Sequence, residues 1–251
     1  MNGDAGLGFP KGVSLARGSA TTQRPFGLLL LVLFLQEQEK NEYPLGKIND
    51  HLQQEENSMI RIACEADVPA ILSIYAPYVR ETTITFEYEV PTREEFLERF
   101  RRITREFPWL VWEEEGEILG YAYACRPFER AAYSWCAEPS IYLKPAAHGR
   151  GIGRKLYQTL EILLGMQGYR VLLALITGEN RASVGFHEHL GYETVGQLKN
   201  VGYKFGGWLD VFWMEKTLDF VENSSDFPTL WEVIVQDNQK ICDILYNLSL
   251  S

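Results

Sequence analysis

The chain has 251 residues, a formal net charge of −10, and a composition that is 46% hydrophobic and 13% aromatic. That size and apolar content suit one folded domain with extensions, or two small ones, and the acidic balance argues against a broad nucleic-acid surface, which needs clustered Lys and Arg. Its cysteines, Cys64, Cys125, Cys136 and Cys242, are widely spaced and form no CxxC pair, so they point to reduced, buried thiols and away from a disulfide framework or a zinc site.

Residues 1–58 show no sustained pattern and are expected to be an extension that is poorly ordered or non-native. Within them the apolar run from Phe26 to Leu35 has ten residues, short of the about 20 that span a bilayer. Lys11, Arg17 and Arg24 precede it as in a signal peptide, but the following QEQEKNEYP has no small-x-small cleavage site. Neither secretion nor a membrane partner is expected. The pattern of a domain begins at Met59, which is read as a candidate biological start, since a GAGGAG codon pair at Glu55-Glu56 would resemble a ribosome-binding sequence.

From Met59 the segment MIRI reads as a short strand, followed by Asp67 as N-cap and Pro69 in the first turn of a helix with Ile71, Leu72 and Tyr75 on its apolar side. Thr92 heads a second helix through Arg102. Trp109 to Trp112 and Ile118 to Ala124 form a hairpin around EEEGE, and Ser140 to Leu143 is a further strand. Arg154 to Leu164 reads as a helix with Leu156, Leu160, Leu163 and Leu164 on one face. The unbroken apolar run from Tyr169 to Ile176 suits an interior strand. A short helix from Asn180 to Leu190 stops at Gly191, and strands from Tyr192 to Lys199 and Trp208 to Leu218 complete the pattern. The sum is a mixed α/β domain over 59–220. Residues 221–251 carry five acids against Lys240 alone and the amphipathic stretch WEVIVQDNQKICDIL; this acidic appendage is read as a packing or association element.

The loop before the long helix is His148-Gly149-Arg150-Gly151-Ile152-Gly153. Glycines at every second position let a backbone approach something bulky, and the helix N-terminus beyond offers unpaired N–H groups to an anion. A dinucleotide fingerprint would need glycine at Arg154, and a Walker loop would need Lys directly after Gly153, so neither fits.

The order of elements, together with IYAPYVRETTITFEYEVPTREEF, GYAYACRPFERAAYSWCAEPSIYL, HGRGIG and SVGFHEHLGYETVGQLKNVGYKFGGWLDVFWM, resembles GNAT acetyltransferases, and among them the phosphinothricin N-acetyltransferase-like branch. The resemblance covers the domain from Met59 to about Phe220 and neither extension. It implies a GNAT-type acyl-CoA N-acyltransferase fold, with a splayed central sheet flanked by helices. It also implies acetyl-CoA as co-substrate, no metal, and a homodimer acting on small amino acids and analogues such as phosphinothricin, methionine sulfoximine and methionine sulfone. The family's loop usually opens with Gln or Arg; here it opens with His148.

By that resemblance the loop Gly149, Arg150, Gly151, Ile152, Gly153 and Arg154 holds the coenzyme's diphosphate, Ile141, Tyr142 and Leu143 run along its pantetheine arm, and Asn180 reaches it near the sulfur. Free peptide groups on a splayed strand suit the arm's amides, as in strand addition. Acetyl transfer to an amine requires neutral nitrogen, and an α-amine with a pKa of roughly 8 is mostly protonated at neutral pH. Glu138 matches the family's base; Tyr133, Trp135 and Ile141 around it are expected to raise its pKa. His187 matches a histidine that helps deprotonate the amine or orients substrate. His187, Glu188 and His189 do not have HExxH spacing. Tyr192 matches a tyrosine near the departing sulfur. For the acceptor, Phe86 would supply an apolar wall, Tyr133 a hydroxyl, and Arg130 a bidentate contact to a carboxylate or phosphinate, with Arg126 as the alternative arginine. Two other readings are acetylation of peptide or protein N-termini and a non-catalytic acyl-CoA-binding module. Acetyl-CoA chemistry implies the cytoplasm.

Overall fold

The computed structural model describes residues 58–219, 221, 225–236, 241 and 245. The apolar run at 26–35, the extension before Ser58 and much of the C-terminal appendage, Cys242 included, lie outside the described residues.

Within the described residues a seven-stranded sheet runs β1 (Ser58–Ile62), β2 (Trp109–Glu114), β3 (Glu117–Cys125), β4 (Cys136–Leu143), β5 (Val171–Thr177), β7 (Gly207–Thr217), β6 (Glu193–Lys204). Every neighbouring pair is antiparallel except β4 and β5. The alternation of apolar residues along β2 and β3 sends side chains to two cores. Trp109, Val111 and Tyr121 pack with Val68, Ile71 and Val79 of α1 (Val68–Glu81) and Phe96 and Phe100 of α2 (Arg93–Glu106). Leu110, Ala122 and Ala124 pack with Leu156, Leu160, Leu163 and Leu164 of α3 (Ile152–Gln167) on the opposite face.

Local signals mostly act as the sequence suggests. Thr92 and Glu95 form a capping box, Glu95 N–H donating to Thr92 Oγ1 at 3.2 Å and Thr92 N–H to Glu95 Oε2 at 2.8 Å. Glu115 and Gly116 both have positive φ, 51° and 79°, as the tight hairpin between β2 and β3 requires. Asp67 is a correction. Its carboxylate makes no N-cap bond to α1; it accepts a forked pair from Arg61 at 2.7 and 2.8 Å and the Cys64 N–H at 2.8 Å. The Arg61 guanidinium on β1 and the N–H of Cys64 take the carboxylate in place of the first N–H groups of α1. β6 is longer than the sequence suggests, because it continues past Lys199 to Lys204 through two irregularities in its register with β7, whereas β7 keeps its expected length.

The parallel pairing of β4 and β5 is confined to Cys136↔Val171 and Ala137↔Leu172. Beyond it the two strands separate. At the C-terminal side, α4 (Arg181–His189) follows β5, and Gly191 turns the chain with φ 86°. Of the appendage, α5 (Trp231–Ile234) is a single turn. Trp231 is 2% exposed, Ile241 and Leu245 are also buried in the α3-side core, and Thr229 and Gln167 exchange hydrogen bonds of 2.8 Å.

Candidate active site

The glycine loop turns out to serve two purposes. Gly149 and Gly151 have φ 73° and 79°, and Gly151 is the N-cap of α3. These are left-handed positions that cost a side-chain-bearing residue energy. Gly153 has an ordinary φ, but a Cβ there would lie 3.2 Å from Leu143 Cδ1 and 3.5 Å from Ile141 Cδ1. It lets the first turn of α3 sit close against β4. The helix therefore begins at Ile152, two residues before Arg154, with no acidic side chain in its first turn to compete for the free N–H groups. Around this end the basic residues are not equivalent. Arg150 donates to both carboxylate oxygens of Glu114 at 2.9 and 2.8 Å, and Lys155 Nζ stands 5.8 Å over the Trp112 ring. Arg154 is exposed and makes no ion pair within the described residues.

From α3 the separated edge of β4 leads inward. Lys144 N–H bonds to Leu119 O at 2.8 Å, and in the register Tyr121↔Tyr142, Ala122↔Ile141 this turns the peptide groups of Ile141 and Leu143 away from β3 and into the gap beside β5. Tyr78 of α1 guards that edge: its hydroxyl donates to Leu143 O at 2.6 Å and lies 3.4 Å from His148 Nε2. The ring of Tyr142 points to the other face, against Tyr75 and Tyr78. Sequence reasoning missed Tyr78; its only signal was a polar-tipped aromatic on the inner side of the first helix.

The gap closes into a small cleft lined by Glu138, Ser140, Ile84, Thr177, Asn180 and His187. Glu138 belongs to β4, and its carboxylate makes no hydrogen bond within the described residues; burial alone pushes its pKa above the usual carboxylate range. Asn180 caps α4, accepting Ser183 N–H at 3.1 Å, while also bordering the cleft. His187 is 4% exposed. Its Nδ1 lies 2.8 Å from Ser183 O, an acceptor only, so Nδ1 carries the proton and Nε2 accepts from Tyr157 OH at 2.8 Å. Both nitrogens are engaged, and burial holds the pKa below the ordinary histidine value, so the ring is neutral at neutral pH. Tyr157, buried in α3, was another residue missed, hidden among the leucines of an amphipathic face.

Tyr192 is 2% exposed and stands behind the cleft, its ring 5.1 Å from that of His187 and 6.0 Å from Tyr157. Burial drives its phenol well above the ordinary range. It does not line the cleft. Among the acceptor candidates, Arg126 is already committed to Glu106, by bonds of 2.9 and 3.1 Å. Arg130 is exposed with no ion pair within the described residues. Tyr133 is 48% exposed, its ring 4.6 Å from Phe128, and Phe86 packs over Gly202 of β6. Trp135, beside Tyr133, donates to Asp226 O at 2.9 Å and stacks on Phe227.

The thiols near the cleft are poor nucleophiles: burial pushes Cys125 up to about 12 and Cys136 to about 11. Among the described residues no group of three His, Cys, Asp or Glu gathers as a metal site, and no helix is long and apolar enough to cross a membrane.

A family model described as an acetyltransferase (GNAT) domain matches residues 60–213. Phosphinothricin N-acetyltransferase of Alcaligenes faecalis is 39% identical over 162 residues, 64% of this chain and 82% of that protein. An L-methionine sulfoximine/L-methionine sulfone acetyltransferase of Pseudomonas aeruginosa is 38% identical over 169 residues, 65% of this chain and 96% of its own length. A crystal structure of a GNAT superfamily phosphinothricin acetyltransferase from Sinorhizobium meliloti, in complex with acetyl-CoA, is 36% identical and superimposes with a TM-score of 0.64 over 69% of this chain and 94% of that one.

Proposed function

The chain belongs to the GNAT acetyltransferase family, and from that premise we propose that it transfers acetyl directly from acetyl-CoA to the amine of a small amino-acid-like acceptor of the phosphinothricin, methionine sulfoximine or methionine sulfone type. The observation that carries this reading is the placement of one half-buried carboxylate, Glu138, without a hydrogen-bond partner among the described residues, on the same strand whose edge leads to the glycine-bounded start of α3.

The residues fit acetyl-CoA. Gly149 and Gly151 bare the N–H groups of the α3 start for a diphosphate, and Gly153 keeps that end against β4. Ile141 offers its peptide groups to an amide of the pantetheine arm, Leu143 can do so only in exchange for the Tyr78 hydroxyl that now holds its carbonyl, and the side chain of Tyr142 belongs to the opposite core. Arg154 is the side-chain cation for a phosphate, since Arg150 is held by Glu114; Arg150 and Ile152 contribute backbone. When bound, acetyl-CoA supplies an acetyl group activated as a thioester. Asn180 orients that end.

Glu138 takes the proton from the acceptor ammonium, directly or through one water, leaving nitrogen with a free pair. Its raised pKa brings it closer to that of the amine, which is what an effective base requires. His187, neutral and with both nitrogens occupied, orients the acceptor side of the cleft through its ring. Tyr192 supports that ring from behind and is less well placed to meet a departing sulfur. Direct transfer is favoured over an acetyl-enzyme because Cys125 and Cys136 hold their protons far above neutral pH. Arg130 pairs with the acceptor's carboxylate or phosphinate; Tyr133 and Phe86 flank it.

The hairpin of β6 and β7 exposes Val195, Leu198, Val201, Tyr203, Phe205 and Trp208, an apolar surface that suits a second copy of the chain. Residues 59–220 are the catalytic unit, with 1–58 and 221–251 as extensions, and dependence on acetyl-CoA goes with a cytoplasmic enzyme. The test is release of free thiol from acetyl-CoA over phosphinothricin, methionine sulfoximine, methionine sulfone and short peptides. Turnover of the amino-acid analogues is expected. Turnover of peptides alone would overturn the substrate reading, and tight acetyl-CoA binding with no turnover would overturn the enzymatic one.

A further inference from the structure

Lys204 ends β6 and is 3% exposed, and it forms no ion pair within the described residues. Lysine is rarely so buried without a directly paired acid; here the nearest influence of that kind is the charge of Glu87, which partly offsets the cost of burial. Its ammonium donates instead to two carbonyls, Thr85 O at 2.7 Å and Val79 O at 2.9 Å. Burial lowers its pKa, so holding the charge there costs free energy. The segment it holds is specific. Thr85 lies between Ile84, which lines the cleft with Glu138, and Phe86. Two further contacts fasten the same segment to the same strand: the Phe86 ring fills the space where Gly202 has no side chain, and Tyr88 OH donates to Tyr203 O. The Thr85 hydroxyl is paired with Tyr75 OH at 2.8 Å.

The position of these residues along β6 depends on its bulge. Leu198 pairs with Val211 and Gly202 with Leu209, so β6 advances four residues while β7 advances two. Asn200, at φ 51°, sits in the bulge and gives its N–H to Asp210 Oδ1 at 2.8 Å. Gly202 and Lys204, two residues apart, share one face of β6, and the two extra residues move that pair along the strand without changing the face.

We propose that Lys204 is a positioning residue for the acceptor: by gripping Thr85 it fixes the wall formed by Ile84 and Phe86, so that β6 sets which acceptor side chains fit against Glu138. This rests on the acceptor reading given above. The test uses the full chain and steady-state kinetics with each substrate varied in turn. Lys204→Met, which keeps length without the donors, is expected to raise the acceptor KM about tenfold, with kcat and the acetyl-CoA KM within about twofold, as loss of charge-assisted hydrogen bonds acting on one substrate only would do. Lys204→Gln, which retains donors, recovers part of the loss. In an Ile84→Ala background the effect of Lys204→Met shrinks to about twofold or less, because the wall it positions has gone. Should Lys204→Met fail to fold, Gly202→Ala displaces the Phe86 ring with the ammonium intact and gives the same acceptor-only rise. Both KM values unchanged, both rising together, or full additivity with Ile84→Ala overturns the proposal. A wild-type protein inactive on every amino-acid analogue overturns the function reading itself, and the positioning role with it; an active wild type with unmoved variants overturns only the latter.

Discussion

Replacing Glu138 by Gln separates catalysis from stability. The carboxylate has no hydrogen-bond partner among the described residues and its pKa is raised by burial, so Gln keeps the shape of the cleft while removing the base. Positioned general bases contribute about 10²–10⁴ in rate, equivalent to ~2.7–5.4 kcal/mol of barrier; kcat is expected to fall by that factor with the acetyl-CoA KM nearly unchanged. In the wild type, kcat/KM should climb with pH as Glu138 ionises, and that limb should vanish in Glu138→Gln. Stability moves the other way. Because the folded pKa lies above the unfolded one, the folded state binds the extra proton between them, so stability is greatest below the unfolded value and is lost as pH rises through the folded value. Glu138→Gln, with no charge to bury, should therefore melt higher than wild type at neutral pH, the gap closing below the ordinary carboxylate value of 4.5. Thermal unfolding at acid and neutral pH, beside thiol-release kinetics, reads both. A variant with kcat within about threefold of wild type would refute Glu138 as the base, since a positioned base contributes at least about 10².

Arg130→Ala should raise the acceptor KM about tenfold or more, as loss of a charge-assisted pair does, whereas Arg126→Ala should leave both KM values alone, its guanidinium being spent on Glu106; equal effects would show the wrong arginine was assigned. Gly151→Ala has open space around the new methyl but keeps φ 79°, so it should cost ~1–2 kcal/mol of stability from strain and weaken acetyl-CoA in titration calorimetry while sparing the acceptor. Trp231→Ala empties a fully packed site of the α3-side core and should cost ~3–5 kcal/mol in denaturant unfolding, with kinetic constants intact in the folded fraction. Unchanged stability would mean that the C-terminal segment does not pack as described.

What could be read from the sequence was what is written in short range. Glycine spacing, the leucine face of α3 and the cap at Thr92 each act within a turn or two, so local pattern and structure agree. The start of α3 was read two residues late because Gly153 looks like loop; its place inside the helix follows from Leu143 and Ile141, ten and twelve positions away. Asp67 carried a local capping signal and was claimed by Arg61 and Cys64. Tyr78, Tyr157 and Lys204 stayed hidden for a common reason. Each works through a partner 65, 30 or 119 residues distant, Leu143, His187 and Thr85, and no periodicity encodes such a pairing. The choice between Arg126 and Arg130 likewise needed Glu106, which only the fold brings near.

The two rungs that join β4 to β5 leave the halves of the sheet hinged at one end. On the reading proposed above, the coenzyme's arm would act there as a splint, its amides closing a seam that the polypeptide leaves open. A ligand present at a hundred times its dissociation constant adds ~2.7 kcal/mol to the folded state. For acetyl-CoA bound as proposed, a fall from a hundred to ten times that constant would remove about 1.3 kcal/mol of this support while the site stayed mostly filled.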